Sequence, residues 1–224
     1  MSKFTEFTDD LKEMSVEIDR EFLIGGTGHG KQFRRMLTTP GYDIPNTRIR
    51  IAYGDIALAN ADVIVNASNG CGYMGGKRCR KQLRRGVAES LNYHTNGKIE
   101  DESLRKARRF RKIPAWLFGV RAGEYFVTAS HGLDCKCVFH AVTMRQPGSR
   151  ANIKRIIEVL GHLHDFMTEH GYQNVAMPLL GSGTGGLSSD EVMQMIIEWA
   201  QNHSEYEIQL FVKENHDGNL YTKR

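Results

Sequence analysis

Three stretches of this chain carry residue types whose spacing suits phosphates and sugars. The first is GGTGHGKQ at residues 25 to 32, where Gly25, Gly30 and Lys31 stand at the spacing of a nucleotide phosphate loop. That loop continues with a Ser or Thr whose hydroxyl holds magnesium. Here the residue is Gln32, so the stretch fails as a magnesium-dependent ATPase loop. The second is PLLGSGTGGLSSDEV at 178 to 192, in which Gly181, Gly183 and Gly186 satisfy G-x-G-x-x-G. An apolar run precedes it, and Ser188 and Glu191 follow at the spacing of a helix capping box. Residues without a Cβ let backbone N–H groups approach a diphosphate, and the start of a helix adds about half a positive charge. A dinucleotide-binding Rossmann reading fits poorly, because its fingerprint follows the first strand and this one stands near the last.

The third stretch is GDIALANADVIVNASNGCGYMGG at 54 to 76. Asp55 can accept two hydrogen bonds, for instance from the exocyclic amine of a base. Asn66 and Asn69 have amides that both donate to and accept from sugar hydroxyls. Each has a plainer reading: Asp55 as the cap of a turn, the two asparagines as braces of the loop backbone.

Other patterns carry less. Cys71, Cys79, Cys135 and Cys137 lack the two-residue gap of a zinc knuckle; although His131 and His140 flank one pair, free thiols and no metal are expected. The net charge is only +4, but cations cluster in KRCRKQLRR at 77 to 85 and LRKARRFRK at 104 to 112. Such runs suit an anionic partner or a solvated helix face. Nucleic-acid binding ranks last, because Phe110 and Trp116 are the only aromatics placed to stack bases.

Elements must position these groups. No apolar run approaches the roughly 18 residues needed to cross a bilayer, and acids interrupt the apolar residues of the N-terminus, so a cytoplasmic protein without a membrane partner is expected. Phe4, Phe7, Leu11 and Met14 predict a short helix over 3 to 16, within an N-terminal extension spanning 1 to 47. Strands are predicted at 48 to 56, 62 to 68, 124 to 129, 136 to 142, 174 to 180 and 207 to 212, and helices at 78 to 92, 150 to 170 and 188 to 203. Residues 95 to 123 read as an irregular basic insertion. This alternation predicts a three-layer α/β/α fold with a mixed central sheet.

Gly54-Asp55-Ile56, Val65-Asn66-Ala67-Ser68-Asn69, Met74-Gly75-Gly76, the strand KCVFHAV and the loop from Gly181 to Leu187 follow one another in an order that resembles the macro domain, a fold that binds ADP-ribose. The resemblance spans about residues 48 to 213. It implies that Asp55 meets the adenine amine, Ile56 lines the adenine pocket and Asn69 meets the distal ribose. Gly75, Gly76 and the backbone of Ser182, Gly183, Thr184, Gly185 and Gly186 would wrap the diphosphate, with Lys77 and Arg78 adding charge.

Two departures bear on chemistry. The family's first loop continues with a third glycine, a valine and, in one hydrolytic branch, an aspartate that helps activate water. Here those places hold Lys77, Arg78 and Cys79. A lysine and aspartate of a second hydrolytic branch are replaced by Thr184 and Gly185. The expectation is a reader or sequestering module for ADP-ribose or a related nucleotide, without a cofactor. The alternative is a hydrolase that removes ADP-ribose from protein, nucleic acid or an acetylated metabolite, with Asn69 orienting water.

Overall fold

The computed structural model describes residues 43–44, 47–84, 86–109 and 119–212 of the 224-residue chain. The predicted N-terminal helix, GGTGHGKQ, Phe110 and Trp116 lie outside the described residues. Six strands form one sheet: β1 (Ile49–Ala52), β2 (Val63–Asn69), β3 (Tyr125–Ala129), β4 (Cys137–Met144), β5 (Asn174–Pro178) and β6 (Glu207–Phe211). Their spatial order is β1-β6-β5-β2-β4-β3. All neighbours are parallel except β3, which pairs antiparallel with β4. The central strands are buried on both faces, which is why VIVNAS and CVFHAV read as nearly continuous apolar runs. Before β1, Ile44 is buried and its N–H donates to the Ile49 carbonyl at 2.9 Å, so the body begins slightly ahead of Arg48.

Five α-helices are described: α1 (Gly76–Lys81), α2 (Val87–His94), α3 (Lys98–Arg109), α4 (Ile153–His170) and α5 (Ser189–Gln201). One face of the sheet, through Ile64, Val138 and Ala176, packs against Met74, Leu91 and Ile99 from the α1–α3 side. On the other face Phe139 packs against Phe166 of α4, their ring centroids 5.5 Å apart. This is the expected three-layer α/β arrangement. Among the described residues no helix is long and apolar enough to cross a membrane.

α4 has the clearest sequence logic. Asn152 caps its start by accepting from the Lys154 N–H at 2.9 Å, and Gly171 ends it with φ +66°. Its buried stripe is Ile156, Val159, Leu160, Leu163, Phe166 and Met167. Ile157 is 56% exposed because it follows Ile156 by one residue, about 100° round the helix.

Two expectations are corrected. The single helix predicted over 78 to 92 is two helices, separated where Gln82 and Gly86 adopt extended backbone. Lys77 and Lys81, and Arg80 and Arg84, would face each other four residues apart in an unbroken helix with no acid in α1's first turn, and like charges at that spacing repel. The irregular insertion contains a twelve-residue helix, α3. Its buried positions are Ile99, Glu100, Ser103 and Ala107, a helical stripe half of which is polar and so carries little apolar periodicity.

Candidate functional site

β1, β2, β5 and β6 run parallel, so the segments that leave their carboxyl ends gather along one edge of the sheet. Asp55 follows β1, the first glycine loop follows β2 and the second follows β5, which is bonded directly to β2. Ligands of parallel sheets bind at this edge.

The second loop is built to present backbone donors. Gly181 and Gly186 hold φ of +79° and +73°, a conformation costly for residues with a Cβ. Internal bonds close the loop: Leu187 N–H donates to the Gly181 carbonyl at 3.1 Å, and Gly186 N–H to the Gly183 carbonyl at 3.1 Å. Gly185 is pinned from behind, its carbonyl accepting from the Ala151 N–H at 3.0 Å, and a Cβ there would fall 2.5 Å from the Gly181 carbonyl oxygen. The N–H groups of Gly183, Thr184 and Gly185 donate to nothing among the described residues. Gly183 and Thr184 are exposed, Ser182 and Leu187 partly so. Immediately beyond, the Ser188 hydroxyl caps α5 by accepting from the Glu191 N–H at 3.5 Å.

The first loop is tied to its own protein. Asn69 braces it: its amide oxygen accepts from the N–H groups of Cys71 and Tyr73 at 3.1 and 3.2 Å, and its NH₂ donates to the Tyr73 carbonyl at 2.8 Å. Ser103 of α3 donates to the Gly72 carbonyl at 2.8 Å. Glu100, also from α3 and only 1% exposed, accepts from the N–H groups of Met74 and Gly76 at 2.8 and 2.9 Å and from the Asn92 amide at 3.2 Å. An internal carboxyl group therefore takes the Gly76 donor that the sequence reading offered to a phosphate. Gly75, with φ +98°, precedes α1; Lys77 and Arg78 on its first turn are exposed, while Arg80 turns to Asp101 and Glu100.

Asp55 stands at the adjoining corner with its carboxylate engaged. It accepts from the Ala57 N–H at 3.0 Å, from the Ser90 hydroxyl and from His94, whose Nε2 lies 3.0 Å away. Burial alone would raise this carboxyl group, but the bonds from His94, Ser90 and Ala57 outweigh it and hold it below the usual carboxylate range. Ser90 and His94 come from α2 and were not legible as site residues; their spacing of four from each other on one helix face is the signal that would have grouped them.

Three predicted site residues lie in the core. Ile56 and Met74 are 3% and 1% exposed. Asn66 is wholly buried within β2, its NH₂ 3.1 Å from His140 Nδ1, while His140 Nε2 lies 2.9 Å from the Thr128 hydroxyl. That placement removes Asn66 from any surface ligand.

A carboxylate does stand beside the first loop. A Cβ on Gly86 would meet Glu89 Oε2 at 2.9 Å, and one on Gly75 would meet Glu89 Cγ at 3.1 Å. The pair Gly86-Val87 opens α2, so a glycine and a valine like those missing after Gly76 stand ten residues beyond it, with α1 filling the interval.

The comparisons agree with this architecture. A family model described as the Macro domain matches residues 65–196. An uncharacterised protein of Aeropyrum pernix is 31% identical over 144 residues, 64% of this chain and 66% of that protein. ADP-ribose glycohydrolase MACROD1 of Mus musculus is 25% identical over 167 residues, 71% of this chain but 45% of the relative, so the chain spans under half of that protein's length. The Trypanosoma brucei macrodomain in complex with ADP-ribose has a TM-score of 0.57 at 15% identity, covering 76% of this chain and 66% of that one, a likeness of fold. The family match takes in more than half of the residues, and the chain belongs to the macro domain family.

Proposed function

We propose that this protein binds ADP-ribose, or a closely related adenine nucleotide with a diphosphate, as a reader or sequestering module. The observation that carries this reading is the set of N–H groups on Gly183, Thr184 and Gly185, without acceptors among the described residues, at the carboxyl edge beside the first loop and Asp55. Oriented amides suit a diphosphate because they match its oxygens without adding mobile charge. Asp55 keeps acceptor capacity for an adenine amine beyond the bonds it already makes. Because Glu100 occupies the Gly76 N–H, the phosphates would lean on the second loop, with Lys77 and Arg78 supplying charge from the rim. The site also suits ADP-ribose carried on a protein or nucleic acid, since the loop tip is open.

The test is titration calorimetry with ADP-ribose against the parent and Gly183→Glu. A Cβ on Gly183 meets nothing within 4 Å, so the variant should fold normally while its carboxylate repels the diphosphate. At least a tenfold loss of affinity is expected, and parental affinity would remove the second loop from the site.

Hydrolysis is the second reading, and Glu89 is the observation that favours it. With Asn69 spent on its loop, a water on the distal ribose would need another group to activate it, and Glu89 lies beside the first loop. Release of free ADP-ribose from a modified substrate, abolished in Glu89→Gln, supports this reading. No release from protein, nucleic acid or acetylated substrates returns the protein to binding alone.

A further inference from the structure

The amino edge of the sheet carries a second group of chemically capable side chains. His164 lies in the later half of α4, while His203 and Glu205 both lie in the link between α5 and β6, so two segments distant in sequence meet at this edge. Together they form a cluster whose potential ligand atoms all lie within 4.8 Å of one another. Glu205 Oε1 is 3.7 Å from His164 Nδ1 and 3.6 Å from His203 Nδ1. The two imidazole centroids are 4.1 Å apart.

These separations are too long for hydrogen bonds, which need about 2.7–3.2 Å between nitrogen and oxygen. They approach the edge of a tetrahedral metal shell, where bonds of about 2.0–2.2 Å place neighbouring ligand atoms about 3.3 Å apart. We propose that His164, His203 and Glu205 form a binding site for a divalent transition metal of the zinc type, distinct from the nucleotide cleft. Two imidazoles and one carboxylate suit such an ion, and the partly exposed position leaves further coordination places to water.

The surroundings fit that role. The Tyr206 hydroxyl lies 2.8 Å from His164 Nδ1 and can donate to it in the tautomer that leaves this nitrogen a lone pair. The same hydroxyl has two other acceptors within reach, Thr168 Oγ1 at 3.0 Å and the His164 carbonyl at 3.3 Å, and can turn to either when a metal takes the nitrogen. The Trp199 ring lies beside His203, with centroids 5.0 Å apart and the planes tilted by 48°, and restricts that imidazole. A metal here would fasten α4 to the link between α5 and β6, and the site would stabilise the folded state by mass action.

The sequence offered no such grouping, because its first ligand lies 39 residues before the second. The experiment is calorimetric titration of zinc chloride into full-length protein stripped with EDTA, repeated on His203→Ala and Glu205→Gln. One zinc per chain is expected, with affinity falling at least tenfold in His203→Ala and more mildly in Glu205→Gln, while both variants melt like the parent in EDTA. Cobalt chloride serves as a spectroscopic probe: weak visible bands without intense near-ultraviolet thiolate absorption are expected from nitrogen and oxygen ligands. Binding unchanged in both variants, a strong thiolate band that assigns the ion to the cysteines, or no binding at millimolar zinc would each overturn the proposal.

Discussion

The Asn66, His140 and Thr128 side chains form a polar chain through the sheet, closed to water on every side. The His140 ring is stacked on Phe126 with centroids 4.5 Å apart, and burial pushes its pKa down to about 3. A histidine held neutral in the fold but free to protonate when unfolded, near pH 6.5, makes the unfolded state the better proton binder below that pH. Its contribution to stability is therefore complete above about pH 6.5 and is lost progressively as pH falls towards 3. Within that window the loss approaches about 1.4 kcal/mol per pH unit for this one group. Chemical denaturation from pH 7 to 4 should show a steep fall for the parent and a shallower one for His140→Gln, although the variant starts less stable. Equal slopes would mean that His140 protonates without unfolding.

At the scale of elements, one helix supports a paired expectation of opposite sign. Gly161 lies on the exposed face of α4, where an added Cβ meets nothing, so Gly161→Ala should raise stability by about 0.5–1 kcal/mol through helix propensity. Gly171 also has open space, but its φ of +66° is the left-handed cap, so Gly171→Ala should lower stability by about 1 kcal/mol. Thermal melting of both variants checks the pair, and matching signs would contradict the helix-end assignment. α4 was legible in the sequence because cap, apolar stripe and terminal glycine all agree. α3 was not, since Glu100 and Ser103 occupy its inward face and serve loop groups more than twenty residues away. Distance in sequence also hid the role of Asn66: residues 62 to 68 read as a strand, but only the pairing of β2 with β4 reveals that Asn66 faces His140. The second glycine loop was legible because the bonds that close it are local, running between residues only a few positions apart, although Ala151 pins it from a distance.

The whole molecule separates its two candidate sites, with the glycine loops at the carboxyl ends of the parallel strands and the histidine cluster at the amino ends. Sites that share no side chain and lie at opposite edges should act on stability independently. For a ligand bound only by the folded state, stabilisation is RT ln(1 + [L]/Kd), about 2.7 kcal/mol at a hundredfold excess over Kd. In a domain of this size that corresponds to a rise in melting temperature of about 5–10 °C. ADP-ribose should give such a shift, with ADP next and adenosine monophosphate weakest, because three adjacent N–H groups are best filled by two linked phosphates. Zinc and ADP-ribose added together should give the sum of their separate free-energy effects, and Gly183→Glu should remove only the nucleotide's share. A zinc shift that disappears in Gly183→Glu would show instead that metal and nucleotide meet in one cleft, and it would undo the separation of the two edges.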